Sequence, residues 1–172
     1  MMTQHTAMLS CVGCGALVPT SAGPTHPYIG ASPGCWALFG EVQAVAYADY
    51  RMAGVQRLTV DTYAVQHPGV PERRAIQSVA VHLMSLYLTL EHGVTHTQSM
   101  QVLQRAADRS HTFTWLTPPA SVGALTVVDV HRARMDADAY TRLVTAWAHA
   151  TWAAWAPHHA QIRQWAAPER AR

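Results

Sequence analysis

Apolar residues recur at helical spacing through most of the chain after residue 35. The clearest stripe alternates intervals of four and three, and it consists of Ile76, Ala80, Leu83, Tyr87 and Leu90. Further apolar residues widen this stripe on both sides, which predicts a helix that is nearly surrounded by protein. We expect it to end at Gly93, because glycine suits the position after a helix.

Weaker periodicity predicts further helices over residues 35–50, 55–67, 97–109 and from about 136 to 156, with a short continuation through Trp165. Ser32 is a good N-cap and Pro33 suits the first helical position. Pro68 explains the end of the second helix, because the residue before proline is disfavoured in the α region. The prolines and short β-branched run of residues 113–130 favour a loop with one short strand.

Residues 11–34 are rich in Gly, Pro, Ser and Thr and have no helical period. Such a segment needs something other than a hydrophobic core to order it. The predicted fold is mainly α: a single domain over residues 1–172, with an irregular, zinc-stapled N-terminal lobe (11–35) and a helical bundle (35–168).

The composition of the 172 residues is 49% apolar and only 13% charged, which excludes a disordered chain. A net charge of +2 predicts no strong attraction to nucleic acid or to a membrane surface. The lobe contains no Arg or Lys, which argues further against a nucleic-acid-binding zinc knuckle. No run of residues is apolar enough to span a bilayer, and the first residues do not resemble a secretory signal. We therefore expect a cytoplasmic protein with reduced thiols.

The three cysteines form the most specific chemical pattern in the chain. Cys11 and Cys14 lie in a glycine-containing C-x2-C turn, which can direct both sulfurs at one ion. Cys35 lies in the first turn of a capped helix, where the helix dipole favours a thiolate. His26 is the nearest candidate in sequence for a fourth ligand. Zinc suits three sulfurs and one imidazole, so the predicted site is Cys11, Cys14, His26 and Cys35.

Other interpretations of these residues remain open. Cys35 can be an ordinary buried cysteine, with Cys11 and Cys14 free or redox-active. Alternatively, His67 or His82 replaces His26 and ties the lobe to the bundle.

A second polar set lies within the predicted bundle. Asp61 falls on the apolar stripe of its helix, and a buried carboxylate needs a charge partner, hydrogen bonds or a metal. A short loop could bring Asp61, His67 and His82 together as an open His/carboxylate metal site, which makes these three the candidate catalytic residues. Ordinary hydrogen bonds within the core, or an arginine partner such as Arg57 or Arg73 for Asp61, explain the same pattern.

The motifs C-x2-C-G, GPTHPY, SPGCW, DTYAVQHPG and QSVAVHL occur in this order along the chain. In this respect the chain resembles a bacterial family of small proteins known only as a domain of unknown function. The resemblance implies no activity and assigns no catalytic residue.

Two functions fit these residues. The first is a zinc protein whose metal is structural and whose bundle binds a small molecule or a protein partner. The alternative is a metal-dependent enzyme of the hydrolase or thiol-transfer type, which would use the Cys/His or the Asp61/His67/His82 set. Whether the protein is an enzyme stays open at this stage.

Overall fold

The computed structural model describes residues 7–108 and 112–170 of the chain. It confirms the mainly helical architecture. The helices in this part are α1 Pro33–Ala48, α2 Gln56–Gln66, α3 Arg73–His92, α4 His96–Ala107, α5 Val127–Ala133, α6 Ala137–Ala154 and α7 His159–Arg170. A 3-10 helix, Tyr50–Val55, leads into α2, and a second, Ala156–His158, leads into α7. The predicted end of the fourth helix, Arg109, lies outside the described residues.

Helix α3 is the central element of the bundle. It contacts α2, α4, α6 and α7, and Leu83, Met84 and Leu86 have no exposed surface. Gly93 adopts a left-handed conformation with φ of 60°, and its N–H closes the last turn on Leu88 and Thr89. The helix that the apolar stripe predicts is therefore confirmed, together with its C-terminal cap.

One part of the prediction is wrong, and the structure adds a short hairpin at the lobe. The β-branched run near residue 127 begins helix α5, because Thr126 and Asp129 form a capping box in which the Asp129 carboxylate accepts from the Thr126 N–H at 2.9 Å. The lobe also contains regular structure, since β1 (Met8–Ser10) pairs antiparallel with β2 (Leu17–Pro19). Strands of three residues are too short for an alternating pattern to stand out in the sequence.

The lobe packs directly on the beginning of α1. Ser32 occupies the N-cap position, but its hydroxyl accepts a hydrogen bond from the Val12 N–H at 3.0 Å instead of capping the helix. Gly34 lies against the backbone carbonyl of Pro19 in β2, so that no Cβ fits there. Residue 35, the predicted boundary between lobe and bundle, lies in the first turn of α1.

Helices α6 and α7 complete the core. Trp147 and Trp155 are fully buried, and α7 packs against α3 and α4. Among the described helices, none has the length and apolar character that crossing a membrane would require.

The close contact at Gly34 gives a stability prediction. Substitution Gly34→Ala should lower the free energy of unfolding by about 2–3 kcal/mol, because the added methyl group overlaps backbone that cannot move aside. Gly40→Ala, in the same helix but with open space around it, should raise that free energy by up to about 1 kcal/mol. Urea unfolding of both variants measures the difference. Equal effects would show that the contact between β2 and α1 does not constrain the lobe.

Candidate metal centre

Four residues from three separate parts of the chain meet beneath the lobe. The Sγ atoms of Cys11, Cys14 and Cys35 and a ring nitrogen of His67 all lie within 4.8 Å of one another. Cys14 Sγ is 4.0 Å from Cys35 Sγ, and Cys35 Sγ is 3.4 Å from His67 Nε2. Cys11, Cys35 and His67 are buried, and Cys14 is partly exposed.

The turn between β1 and β2 positions the first two cysteines. Cys11 donates its N–H to the Ala16 carbonyl at 2.8 Å, and its own carbonyl accepts from the Gly15 N–H at 2.9 Å. Gly15 has a φ of 75°, a conformation that residues with a side chain rarely adopt. Gly13 serves a different purpose, because a Cβ at this position would lie 2.5 Å from Cδ2 of the His67 ring. Gly15 therefore allows the turn its conformation, and Gly13 allows the turn to approach His67 closely.

Cys35 reaches the cluster from the first turn of α1, as the sequence predicts. Two donors lie beside the sulfurs: the Ser32 N–H points at Cys11 Sγ over 3.4 Å, and the Tyr63 hydroxyl donates to Cys35 Sγ at 3.5 Å. Burial and the neighbouring Cys35 raise the pKa of Tyr63 well above its usual range, so this hydroxyl stays protonated and remains a donor.

His67 is held in the orientation of a metal ligand. Its Nδ1 lies 2.7 Å from the carbonyl oxygen of Tyr63, four residues earlier on α2. A carbonyl can only accept, so Nδ1 carries the hydrogen and Nε2 is directed at the sulfurs. Histidine ligands of metals usually donate their second ring N–H in this way, which fixes the tautomer and the direction of the ring.

The electrostatics of the cluster favour a cation. Hydrogen bonds from Cys14 and Cys35 hold the pKa of Cys11 far below its usual range, while contact with Cys11 and Cys14 and burial raise the pKa of Cys35. Burial disfavours a charged His67 ring, but hydrogen bonds to Cys11 and Cys14 and the charge of Cys14 outweigh this and raise its pKa to about 9. The sulfurs thus stabilise a positive charge in a place from which water is largely excluded.

Two of the separations between ligand atoms are close to those of a tetrahedral zinc site. Zinc lies about 2.3 Å from sulfur and about 2.0–2.1 Å from nitrogen, which sets ligand atoms about 3.8 Å apart for two sulfurs and about 3.6 Å apart for sulfur and nitrogen. The corresponding distances here are 4.0 Å and 3.4 Å. At 4.0 Å the sulfurs are far from the roughly 2.05 Å of a disulfide, and all three cysteines are free. The three cysteines and His67 therefore fit a zinc ion.

The structure does not bring His26 into this group. Its ring packs against Tyr28 at 4.3 Å and Trp36 at 5.3 Å between ring centroids, and its Nδ1 accepts from the Tyr28 N–H at 3.4 Å. Burial, and then the charge of His82, lower the pKa of His26. His67, the alternative that the sequence leaves open, lies at the position predicted for His26, because α2 packs against α1 and ends next to Cys35.

Asp61 and His82 form a separate network. Asp61 has no exposed surface, and its two carboxylate oxygens accept from Arg57 at 2.9 and 3.0 Å, the arginine partner considered above. His82 Nδ1 is 2.7 Å from Asp61 Oδ1, and the Ser85 hydroxyl donates to Oδ2 at 2.5 Å. Ser85 is a partner that the sequence pattern did not indicate. Each of the two carboxylate oxygens therefore has two hydrogen-bonding partners.

The predicted combination of Asp61, His67 and His82 is not assembled. Both ring nitrogens of His67 are engaged elsewhere, with Tyr63 and Cys35. The separation has a simple cause. At about 100° per residue, Asp61 and His67 point about 120° apart around the axis of α2. The pair Tyr63 and His67, four residues apart, shares the face towards the cysteines, and this spacing is the signal that identifies His67.

A family model described as "Family of unknown function (DUF5946)" matches residues 9–156 of the chain. Neither a search of curated proteins nor one of solved structures finds a match.

The burial of Asp61 predicts that its loss is costly. Asp61→Ala should lower the free energy of unfolding by about 3–5 kcal/mol, because it leaves the Arg57 guanidinium without its buried partner. Glu41→Ala removes a carboxylate that is 57% exposed and pairs with His131, and it should change stability by no more than about 1 kcal/mol. Denaturant unfolding monitored by circular dichroism tests both. A loss below about 1 kcal/mol for Asp61→Ala would contradict the network described here.

Proposed function

The chain belongs to this family of unknown function, and because the family description names no activity, we propose a function from the site itself. The protein is a zinc-binding helical protein in which Cys11, Cys14, Cys35 and His67 hold one structural ion. The ion ties the N-terminal lobe to the bundle, whose surface binds a small molecule or a protein partner.

The observation that carries this proposal is the closed set of four protein ligands. Catalytic zinc sites keep a position for water or substrate, whereas structural sites surround the ion with four side chains. Here the four ligand atoms lie within 4.8 Å of one another, and three of the four residues are buried. Bound zinc would offset most of the negative charge of the thiolates. Its binding free energy would add to the free energy of unfolding.

The lobe has a clear need for this contribution. Outside the short hairpin it is irregular, and Met8, Val12 and Leu17 are more than half exposed. Only a few lobe residues, Val18 and Ala31 among them, are buried in the core, so the apolar contribution of the lobe to folding is limited. Free thiols in such a site require a reducing compartment, and we propose the cytoplasm as its location.

Metal analysis of protein purified without added metal or an affinity tag tests the proposal. The wild-type protein should contain one zinc ion per chain, and Cys35→Ser and His67→Ala should each lose most of it. His26→Ala is the matched control and should retain the ion, because His26 contacts Trp36 and Tyr28 rather than the sulfurs.

A chelator should unfold the lobe of the wild-type protein and lower the unfolding temperature of the whole chain. Zinc retained by His67→Ala but lost from His26→Ala would reverse the assignment of the fourth ligand. Protein that holds no metal and is equally stable with and without chelator would overturn the proposal.

One observation favours a second candidate, the thiol-transfer alternative. Cys14 is partly exposed and lines a cleft of about 360 Å³ between the hairpin and α5, whose wall includes Thr126, Asp129 and Arg132. A thiolate in an accessible, polar position is the reactive form of cysteine. In such a reaction the Cys14 sulfur attacks an electrophilic carbon of the donor, an S–C bond forms, and the leaving group departs with the electron pair of the broken bond. The hydrolase alternative finds no such support, because the four ligands complete the tetrahedron.

Selective alkylation separates the two candidates. In zinc-loaded protein, iodoacetamide should modify Cys14 before Cys11 and Cys35, which are 3% and 0% exposed, with release of iodide. Peptide mass mapping during the reaction measures this order. If all three cysteines react together at the rate of zinc release, Cys14 has no separate reactivity and the structural function stands alone. Chelated protein, in which all three should react, is the control.

A further inference from the structure

A second cleft lies beside the lobe, and none of the three cysteines lines it. It encloses about 440 Å³ between the lobe and α3, and it is lined by Tyr28, Arg74, Gln77, Ser78, Val81 and His82. The five residues from α3 follow intervals of three and one, so they form a single stripe along one face of the helix, polar except for Val81. Tyr28 supplies the opposite wall.

The position of Tyr28 depends on tight backbone contacts beside the metal centre. The Gly30 N–H donates to the His67 carbonyl at 3.0 Å, and a Cβ at Gly69 would lie 2.8 Å from the Tyr28 carbonyl oxygen. Gly69 also has a φ of 74°, which glycine adopts without strain. Backbone contacts with His67 and Gly69 therefore fix the position of Tyr28 in the wall of the cleft.

The Asp61 network fixes the hydrogen-bonding state of His82. Both carboxylate oxygens of Asp61 accept from the Arg57 guanidinium, so Oδ1 is an acceptor and the His82 nitrogen 2.7 Å from it carries a hydrogen. In the tautomer with its hydrogen on Nδ1, the lone pair lies on Nε2, on the side of the ring away from Asp61. Within residues 7–108 and 112–170, Nε2 has no hydrogen-bond partner, and His82 is one of the cleft residues. His82 thus offers the cleft a hydrogen-bond acceptor in a fixed direction.

Arg74 supplies a positive charge at the same cleft. It is exposed, and no carboxylate in the described part of the chain pairs with it. The carboxylate nearest to His82, Asp61, is neutralised by Arg57. The six lining residues contain no acidic group, so the charge of the cleft favours an anion.

We propose that this cleft binds a small organic anion that also carries an O–H group, with the anionic oxygens on Arg74 and the O–H donating to His82 Nε2. Asp61 acts as a positioning residue, because it holds the ring and the tautomer. A phosphate monoester fits this description, since its protonated form combines anionic oxygens with one O–H group.

Inorganic phosphate at neutral pH is the probe, with sulfate as the matched anion that has no O–H group. We expect phosphate to shift the His82 Nε2 resonance in ¹⁵N NMR spectra saturably, and sulfate to bind at least tenfold more weakly. Arg74→Gln should weaken phosphate binding about tenfold or more, since a charge-assisted hydrogen bond contributes about 1.5–3 kcal/mol. His82→Gln, which keeps a polar side chain on Asp61, should remove the preference for phosphate over sulfate.

Arg73→Gln is the control, because Arg73 is exposed on the same turn of α3 but does not line the cleft. Its affinity for phosphate should equal that of the wild type. Arg74→Gln alters an exposed side chain and should fold normally, so the test does not depend on the stability of the His82 variant. A shift that never saturates, or equal losses in Arg73→Gln and Arg74→Gln, would overturn the site. Equal affinity for sulfate and phosphate would overturn the acceptor role of His82.

Discussion

Three sulfur atoms and an imidazole ring share one space under the lobe, and removing their charge from water is the constraint that the surrounding structure must satisfy. Thiolates in such a place need a positive partner, and the arrangement already raises the pKa of His67 to about 9 despite its burial. The Ser32 N–H, the Tyr63 hydroxyl and the Tyr63 carbonyl are all directed at members of this group. The beginning of α1 and the end of α2 are thus organised around it.

The sequence predicted the parts of this centre that depend on local geometry. Cys11 and Cys14 are close because a turn of four residues places them so, and Cys35 follows from a helix start that Ser32 and Pro33 mark clearly. The fourth ligand depends on how α2 packs against α1, which residue spacing does not reveal. His26 is the histidine that lies between Cys14 and Cys35 along the chain, yet His67 is the one that joins the three sulfurs in space. Helix α5 was missed for the opposite reason, because the local cap formed by Thr126 and Asp129 outweighs the β-preference of two valines.

Helix α2 serves two chemical environments at once. Its face with Tyr63 and His67 belongs to the sulfur cluster, while Asp61 points towards α3 and holds His82. An α-helix keeps these faces at a fixed angle, so the two groups cannot exchange partners without unwinding it. The cleft beside His82 and the metal centre therefore share a rigid support, although no side chain is common to both.

The use of His67 instead of a histidine within the lobe also determines the order in which the protein can assemble. Cys35 and His67 are 32 positions apart, compared with 21 between Cys14 and Cys35. The longer loop costs little in entropy, because each doubling of its length adds only about 0.6 kcal/mol. The longer loop instead affects when the fourth ligand becomes available during synthesis. The three thiols emerge first, and the complete set of four candidate ligands exists only after α1 and α2 have emerged and packed together.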